Sequence, residues 1–467
     1  MNVITTFARL GVLSSLSLLV VSGALSIGCT DTATPADGAD SGVAPVADGG
    51  ADAAACATTG TGSLTVTVAG LPDGVTAKVK LTGPSGAPTE LTASQTIADA
   101  AAGTYEVTAA RVANTNAIVR TVYEAKVSAA SLCLAGAQTV TVTYSEVASS
   151  NKLWATSQNS PSDLLGFASA DLAATGSPAA KVAATSPSGR AIAFDKDGNL
   201  WTVGGTIADA PLARFAAADL GASGAKTPDR KIAPALTGCS PALTAIAFAP
   251  SGDLWAADLC ADRLLRVSPD TLSASKDYTP AAGDIASGTI NGPRGIAFDA
   301  GGNMWVSDAT SLHLYPAASL APGAAHVPTF KLDMKTAGAA DLPPDALAFD
   351  KDGNLWVTSF GGNVIYKLTP IDLAVTGAAK EVIPSVQMTV SVGALLEGLA
   401  VDESGGLWLT YSQGKVARIA PTQLGASTNA GDPTIPQTIT TSADIGSAVA
   451  MAFFPAAAGL PIYSSFR

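Results

Sequence analysis

One phrase recurs between residue 148 and the end of the chain, and it limits what the chain can fold into. It reads AIAFDKDGNLW at Ala191–Trp201, AIAFAPSGDLW at Ala245–Trp255, GIAFDAGGNMW at Gly295–Trp305, ALAFDKDGNLW at Ala346–Trp356 and GLAVDESGGLW at Gly398–Trp408. A worn copy, AMAFFP, stands at Ala450–Pro455. Each full copy sets two short apolar runs on either side of Gly next to Asn, Asp or Gly. These residues accept the positive φ of a tight turn, so each copy predicts a β-hairpin. A third run follows and closes on leucine, at Leu172, Leu220, Leu272, Leu320, Leu373 and Leu424. A looser fourth run comes next, as in Val327–Leu332 or Thr434–Thr440. Four strands per unit at roughly fifty-residue spacing predict the blades of a β-propeller.

The six tryptophans fix the blade number, because Trp154, Trp201, Trp255, Trp305, Trp356 and Trp408 all occupy the second strand. The unit from Lys152 has a second, third and fourth strand but no first, whereas the unit at Ala450 has a first strand and little after it. Together they predict one blade shared by the two ends of the chain. That closes a ring of six and leaves no open sheet edge. Tyr463 resembles a further second-strand position and leaves a ring of seven as the alternative. Stacked blades bury both faces of each sheet, so the tryptophans read as packing. Small Ala193, Ala247, Ala297, Ala348 and Ala400 suit sheets converging on an axis.

The chain ahead of residue 148 divides in three. Residues 1–28 read as an export signal: Arg9, then an apolar region from Gly11 to Ile27 that is serine-rich and short for a bilayer span. Leu25-Ser26-Ile27-Gly28-Cys29 resembles a bacterial lipobox, which implies cleavage before Cys29 and lipid on that cysteine; an ordinary secretory signal is the alternative. Residues 29–58 carry Asp31, Asp37, Asp40, Asp48 and Asp52 with no Lys or Arg. So little apolar surface cannot offset the entropy of ordering, which predicts a flexible tether. Residues 59–147 alternate apolar and polar positions in SLTVTVAGL, AKVKLTG, GTYEVTAARV and QTVTVTYSEV, predicting a small antiparallel β-sandwich. GSLTVTVAGLPDGV, LTGPSG and AAGTYEVTA resemble immunoglobulin-like or transthyretin-like modules of bacterial surface proteins, which implies a spacer or adhesion unit. The fold class read from the sequence is therefore all-β, a six-bladed propeller over residues 148–467 preceded by that sandwich.

Charge and cysteine content narrow the function classes. A net charge of -12 and no Lys/Arg cluster exclude a phosphate-binding face, so nucleic acid is not an expected partner. Five cysteines are one for lipid and two pairs, which suits an oxidising compartment. Cys56 and Cys133 flank sandwich strands, and Cys239 and Cys260 lie in loops at the same end of one blade, so those are the expected disulfides. Zinc is not expected, since no C-x-x-C exists and the histidines are His313 and His326 alone. The D-x-D-G-N turns at Asp195–Asn199 and Asp350–Asn354 lack the distal bidentate acid of a calcium loop, and hairpin chemistry accounts for them.

The candidate site is the mouth of the ring, where loops entering the first strands and leaving the second strands converge. Arg190, Thr244, Arg294, Asp345, Glu397 and Ser447 stand on the first set, and Ser157, Gly204, Asp258, Asp308, Ser359 and Tyr411 on the second. Of these, Arg190, Asp258, Arg294, Asp308, Asp345 and Glu397 would bind a polar ligand or pair with one another.

The pattern GIAFDxxGNLWV with its short third strand resembles NHL-type six-bladed propellers, and within them the streptogramin lyases and gluconolactonase-like hydrolases. The resemblance implies a site at the mouth, and for gluconolactonase-like enzymes a divalent cation such as Ca or Mg held by acids where Glu397 and Asp308 stand. Streptogramin lyases read LWFTE after the turn, where this chain has LWTVG, LWAAD, MWVSD, LWVTS and LWLTY. The expectation is an exported, membrane-anchored lipoprotein, periplasmic or on the cell surface, whose propeller binds an envelope protein or glycan without catalysis or cofactor. The alternative is a metal-dependent lactone hydrolase or streptogramin lyase-like enzyme.

Overall fold

A computed structural model describes Cys56 and residues 58–158, 163–185, 189–204, 212–235, 243–287, 290–390, 395–411, 414–427, 437–440 and 447–460. The export signal, Cys29, the tether up to Ala55, Cys239 and Tyr463 lie outside the described residues. From Cys56 onward the chain is one compact unit. Among the described residues no helix is long and apolar enough to cross a membrane.

Among the described residues the protein is all-β and forms six propeller blades. Blade 2 is Gly189–Phe194, Leu200–Gly204, Leu212–Phe215 and Arg230–Pro234; blade 3 is Leu243–Phe248, Leu254–Asp258, Arg263–Val267 and Ile285–Ser287. Blade 4 is Ile296–Phe298, Met304–Ser307, Leu312–Tyr315 and Phe330–Met334; blade 5 is Pro344–Phe349, Leu355–Ser359, Val364–Leu368 and Val386–Thr389. Blade 6 is Leu396–Val401, Leu407–Tyr411, Lys415–Ile419 and Gln437–Thr440. Blade 1 takes Lys152–Gln158, Leu164–Ala168 and Val182–Thr185 from the start of the propeller and Ser447–Phe453 from its end. Those end strands run antiparallel, with Leu153 opposite Phe453 and Trp154 opposite Ala452. The shared blade inferred from the repeat count is thus present.

The repeat's chemistry explains why each blade has the same interior. The carboxylate of Asp350 accepts the N–H groups of Asp352 and Asn354, the Asn354 amide and, at 2.9 Å, the Trp356 indole Nε1. One aspartate therefore ties the hairpin turn to the buried tryptophan. Asp195 with Trp201, Asp299 with Trp305 and Asp402 with Trp408 repeat the device. Blade 3 has Ala249 at that place, and Trp255 Nε1 is left buried with no hydrogen-bond partner. On their other side Trp154, Trp201, Trp305 and Trp408 each meet a phenylalanine, as Trp201 meets Phe248 edge-on at 6.3 Å between centroids, while Trp255 meets His326 and Trp356 lies under Lys367. The packing role read from sequence is the one the tryptophans have.

The leucine that closes each third run does not end a strand. The strands stop earlier and turn into short helices, such as Ser169–Leu172, Ala217–Gly221 and Ala317–Leu320, whose leucines plug the core. The segment beyond then stitches the blades together. Gly224–Ala225, Lys276–Tyr278 and Ala379–Val382 each add a parallel fifth strand to the outer edge of the preceding blade. Ser223, Ser275 and Ser427 accept N–H groups from that same edge. Outer edges that would otherwise present free backbone groups are thereby paired.

The smaller domain is two sheets over one core, with strand order Gln95–Ala101, Thr61–Ala69, Ala137–Glu146, Thr121–Val127, Val112–Asn114 in one. The second sheet is Pro88–Leu91, Val79–Thr82, Gly103–Ala109 and Ser131–Leu134. The antiparallel sandwich expected from sequence needs one correction: Thr61–Ala69 and Ala137–Glu146 pair in parallel. Alternation predicts which face is buried but carries no information on strand direction. Cys56 and Cys133 are bonded, tying the entry of the chain to the second sheet. Cys260 is also in a disulfide, and Cys239, its expected partner, lies outside the described residues.

The sandwich is fused to the hairpin-turn face of the propeller. Ile118 and Val119 are buried with Leu153, Met451 and Phe453 of the closing blade, and Val122 and Val147 with Trp154. Arg120 donates to the Ala456 carbonyl at 2.6 Å and pairs with Glu403 at 3.2 Å. The N–H groups of Glu403 and Ser404 donate to the carbonyls of Ile118 and Ala117.

Because one carboxylate serves several donors in the repeats of blades 2, 4, 5 and 6, its loss leaves all of them without a partner. Asp350→Ala should lower stability by about 2–3 kcal/mol, measured as the denaturant midpoint of tryptophan fluorescence. A change below about 0.5 kcal/mol would show that the turn, rather than the turn-to-tryptophan tie, carries the hairpin.

Candidate functional site: the mouth of the ring

The mouth is built by a fault in the ladder that repeats from blade to blade. Pairing of first and second strands skips between Gly189 and Ala191, between Leu243 and Ala245, between Pro344 and Leu347, and between Leu396 and Gly398. A bulge of this kind bends the strand and re-aims the extra side chain. The residues it re-aims are Arg190, Thr244, Asp345 with Ala346, and Glu397. In blade 1 the pairing skips between Ala155 and Ser157, opposite Val449 and Ala450.

Buried hydroxyls on the second strands satisfy the backbone that the bulge frees. Thr358 accepts the Ala346 N–H at 2.9 Å, and Thr156 accepts the Ala450 N–H at 3.0 Å. Ser307 accepts the Gly295 N–H at 2.8 Å and donates to the Asp345 carbonyl of the next blade at 2.5 Å. Gly295 is required there, since a Cβ would stand 2.4 Å from that carbonyl. Neighbouring bulges are thus held in fixed relation around the axis.

Arg190, Thr244, Arg294, Asp345 and Glu397 line one pocket of about 340 Å³ together with Phe360. Below it the axis is apolar, a cavity of about 210 Å³ walled by rings such as Ile192, Ile246, Ile296 and Phe194, Phe248, Phe298. The five polar residues that the sequence assigns to the ring's mouth line this one pocket. Phe360, 46% exposed, was missed. It follows Ser359 in the loop leaving the second strand, so the same rule taken one residue further would have found it. Its ring lies 3.4 Å from the Arg294 guanidinium carbon, a cation–π stack that holds the arginine at the rim.

Asp258 and Asp308 do not line the pocket. Asp258 is fully buried and accepts from Arg263 Nε at 3.0 Å. Asp308 is buried too, accepting the N–H groups of Asn291, Thr310 and Ser311 and lying 2.8 Å from His313 Nε2. Burial alone would raise the Asp308 carboxyl, but His313 and the Thr310 and Asn291 N–H groups outweigh it and bring it down to about 2. With those acceptors taken, Glu397 and Asp308 do not fit a shared cation. Among the described residues no group of three or more His, Cys, Asp or Glu is arranged to hold a metal. His326 stands elsewhere, between the carbonyls of Ser319 and Gly283.

The remaining four charges form no ion pair or side-chain hydrogen bond among the described residues. Arg190 and Arg294 stand on blades 2 and 4, Asp345 and Glu397 on blades 5 and 6, so one arc of the mouth is basic and the other acidic. Burial raises the Asp345 carboxyl to about 6 against the pull of Arg294, and Glu397 adds to the rise. Burial raises Glu397 as well, against Arg190. Two neighbouring carboxyls with no ion-pair partner among the described residues are thus harder to ionise than free ones.

No family model matches the chain, and no curated protein matches it. Among solved structures it is similar to virginiamycin B lyase from Staphylococcus aureus, with 13% identity, 50% of this chain and 67% of that one covered, and a TM-score of 0.34. A streptogramin B lyase is 15% identical over 60% of this chain and 74% of that one, TM-score 0.33. The extracellular domain of a putative hybrid two component system from B. thetaiotaomicron is 17% identical over 54% of this chain and 30% of that one, TM-score 0.35.

The raised carboxyl fixes a pH signature. Asp345 keeps its proton more tightly folded than unfolded, so its stabilising contribution is complete below about pH 4 and lost as pH rises through 6. Asp345→Asn, which mimics the protonated form, should therefore stabilise the protein at pH 8 by roughly 1–2 kcal/mol and change little at pH 4. Denaturant melts at the two pH values decide it; an equal effect at both would contradict the buried, uncompensated carboxylate.

Proposed function

We propose that the propeller binds a polar partner at its mouth without catalysis, as the ligand-binding part of an exported envelope protein. The observation that carries this reading is the set of four charged side chains, Arg190, Arg294, Asp345 and Glu397, that converge on one pocket and form no ion pair among the described residues. Charges such as Arg294, Asp345 and Glu397, partly withdrawn from water, are costly to maintain unless a ligand completes them. The partner is an envelope protein or glycan, and Asp258 and Asp308 would support the mouth rather than touch it. Paired cysteines, Cys56 with Cys133 and the bonded Cys260, suit an oxidising compartment. Export, with lipid on Cys29 holding the protein at the membrane and residues 29–58 as tether, completes the reading; the small sandwich then serves as an immunoglobulin-like or transthyretin-like spacer.

The rival reading is a metal-dependent hydrolase or lyase centred on Glu397 and Asp308. A thermal melt of the full chain in EDTA, then with calcium, magnesium, manganese or zinc added singly, separates the two, since a ligand that binds the native state raises the melting temperature by mass action. No saturable rise is expected with any of the four metals. A saturable rise that Glu397→Ala abolishes would overturn the reading in favour of the enzyme.

A further inference from the structure

The mouth is asymmetric in a way that selects among polar partners. Asp345 and Glu397 are bulge residues of adjacent blades, with no cation of the protein within ion-pair distance of either among the described residues. Arg294, on the blade beside Asp345, is stacked on Phe360, and its Nε is buried without a hydrogen-bond partner. The pocket therefore presents two acceptors that need a cation next to one donor that needs an oxygen. A neutral glycan would hydrogen-bond to these groups but would leave both carboxylates without compensating charge. An ammonium group beside a carbonyl answers all three, and that pair of groups is the free amino terminus of a polypeptide. The volume, about 340 Å³, suits a terminal residue or two and not a folded surface.

We propose that the mouth captures the free amino terminus of a peptide or protein, its α-ammonium held between Asp345 and Glu397, its first carbonyl on Arg294 and its leading side chain against Phe360. This rests on the reading of the mouth as a non-catalytic binding site and gives that site a ligand class. Arg190, across the mouth from Asp345 and felt by Glu397, keeps the acidic arc from accepting a second cation. The groups facing Asp345 are Arg294 on one side and Glu397 on the other, and its carboxyl titrates near 6. Amine capture therefore weakens as pH falls through that value, while the ligand's own ammonium stays charged.

The test uses the full chain and the peptide Ala-Phe-Ala-amide, which has one free amino terminus and no carboxylate, followed by calorimetric titration at pH 7.5 and pH 5. Its N-acetylated form and chitotriose are titrated alongside. The free-amine peptide should bind at pH 7.5, about tenfold or more tightly than the acetylated one, in line with a charge-assisted hydrogen bond. Glu397→Gln and Asp345→Asn, both isosteric, should remove most of that preference, and the pH dependence should vanish in Asp345→Asn. Tryptophan fluorescence confirms that the variants are folded. Equal binding of the acetylated peptide, or no binding of the free amine, overturns the inference. If chitotriose binds instead and Arg294→Met removes it, the amine class falls while the mouth remains the binding site. If the peptide binds but is cleaved, the non-catalytic reading falls and the amine class stands.

Discussion

The ring closes through one pair of strands drawn from opposite ends of the propeller, Lys152–Gln158 and Ser447–Phe453, and every blade depends on that seam. A propeller with an open seam would expose the faces of two blades and two inner strands at once, so closure must be worth more than one ladder of hydrogen bonds. The seam has reinforcement on the hairpin face. Arg120 of the small domain reaches both Glu403 of blade 6 and the Ala456 carbonyl just beyond the closing strand, while Arg111 reaches the Lys196 carbonyl in the blade 2 turn. The small domain thus grips the two blades that flank the seam and the tail that forms it. Its position gives it a structural task beyond that of a spacer.

Closure also sets the mouth. The bulged residues lie on the innermost strands, and buried hydroxyls of one blade reach the backbone of the next, as Ser307 reaches Asp345 and Thr410 reaches Val449. Distances between Arg190, Arg294, Asp345 and Glu397 are therefore properties of the closed ring. Arg190, Asp345 and Glu397 are each aimed by a local bulge and Arg294 by the loop entering its strand, and their mutual spacing follows from closure of the ring. Around the ring Thr244 separates the two arginines, and Asp345 stands between Arg294 and Glu397, close enough to feel both charges but in no ion pair among the described residues.

Much of this is legible in the chain because the repeat is strict. The turn aspartate, glycine and asparagine, and the second-strand tryptophan, give the blade and its number, since hairpin and packing chemistry are local. The same regularity locates Arg190, Thr244, Arg294, Asp345 and Glu397 one step ahead of each copy of the repeat, though the strands themselves begin earlier and take in Arg190, Thr244, Asp345 and Glu397. What the residue order does not carry is which acids already have partners. Asp258 and Asp308, after their second strands, read as mouth residues no less than Asp345 does, but Arg263 and His313 on the third strands satisfy them, and nothing in the spacing of those strands announces it. Direction of pairing in the small domain and its grip on the seam are equally hidden, because they arise from contacts between residues far apart in the chain, such as Ser63 with Ala137 and Arg120 with Glu403.

The dependence of the ring on its reinforced seam is most directly tested by comparing the unfolding of the two domains in the full chain. All six tryptophans lie in the propeller, so their fluorescence reports the ring alone, while amide exchange in Thr61–Ala69 reports the sandwich. One coincident transition is expected, and Arg120→Ala, which strands Glu403 half out of water, should shift both probes together by about 3 kcal/mol. If the sandwich melted separately and the tryptophan transition stayed where it was, the small domain would be an appendage and the seam would hold by itself.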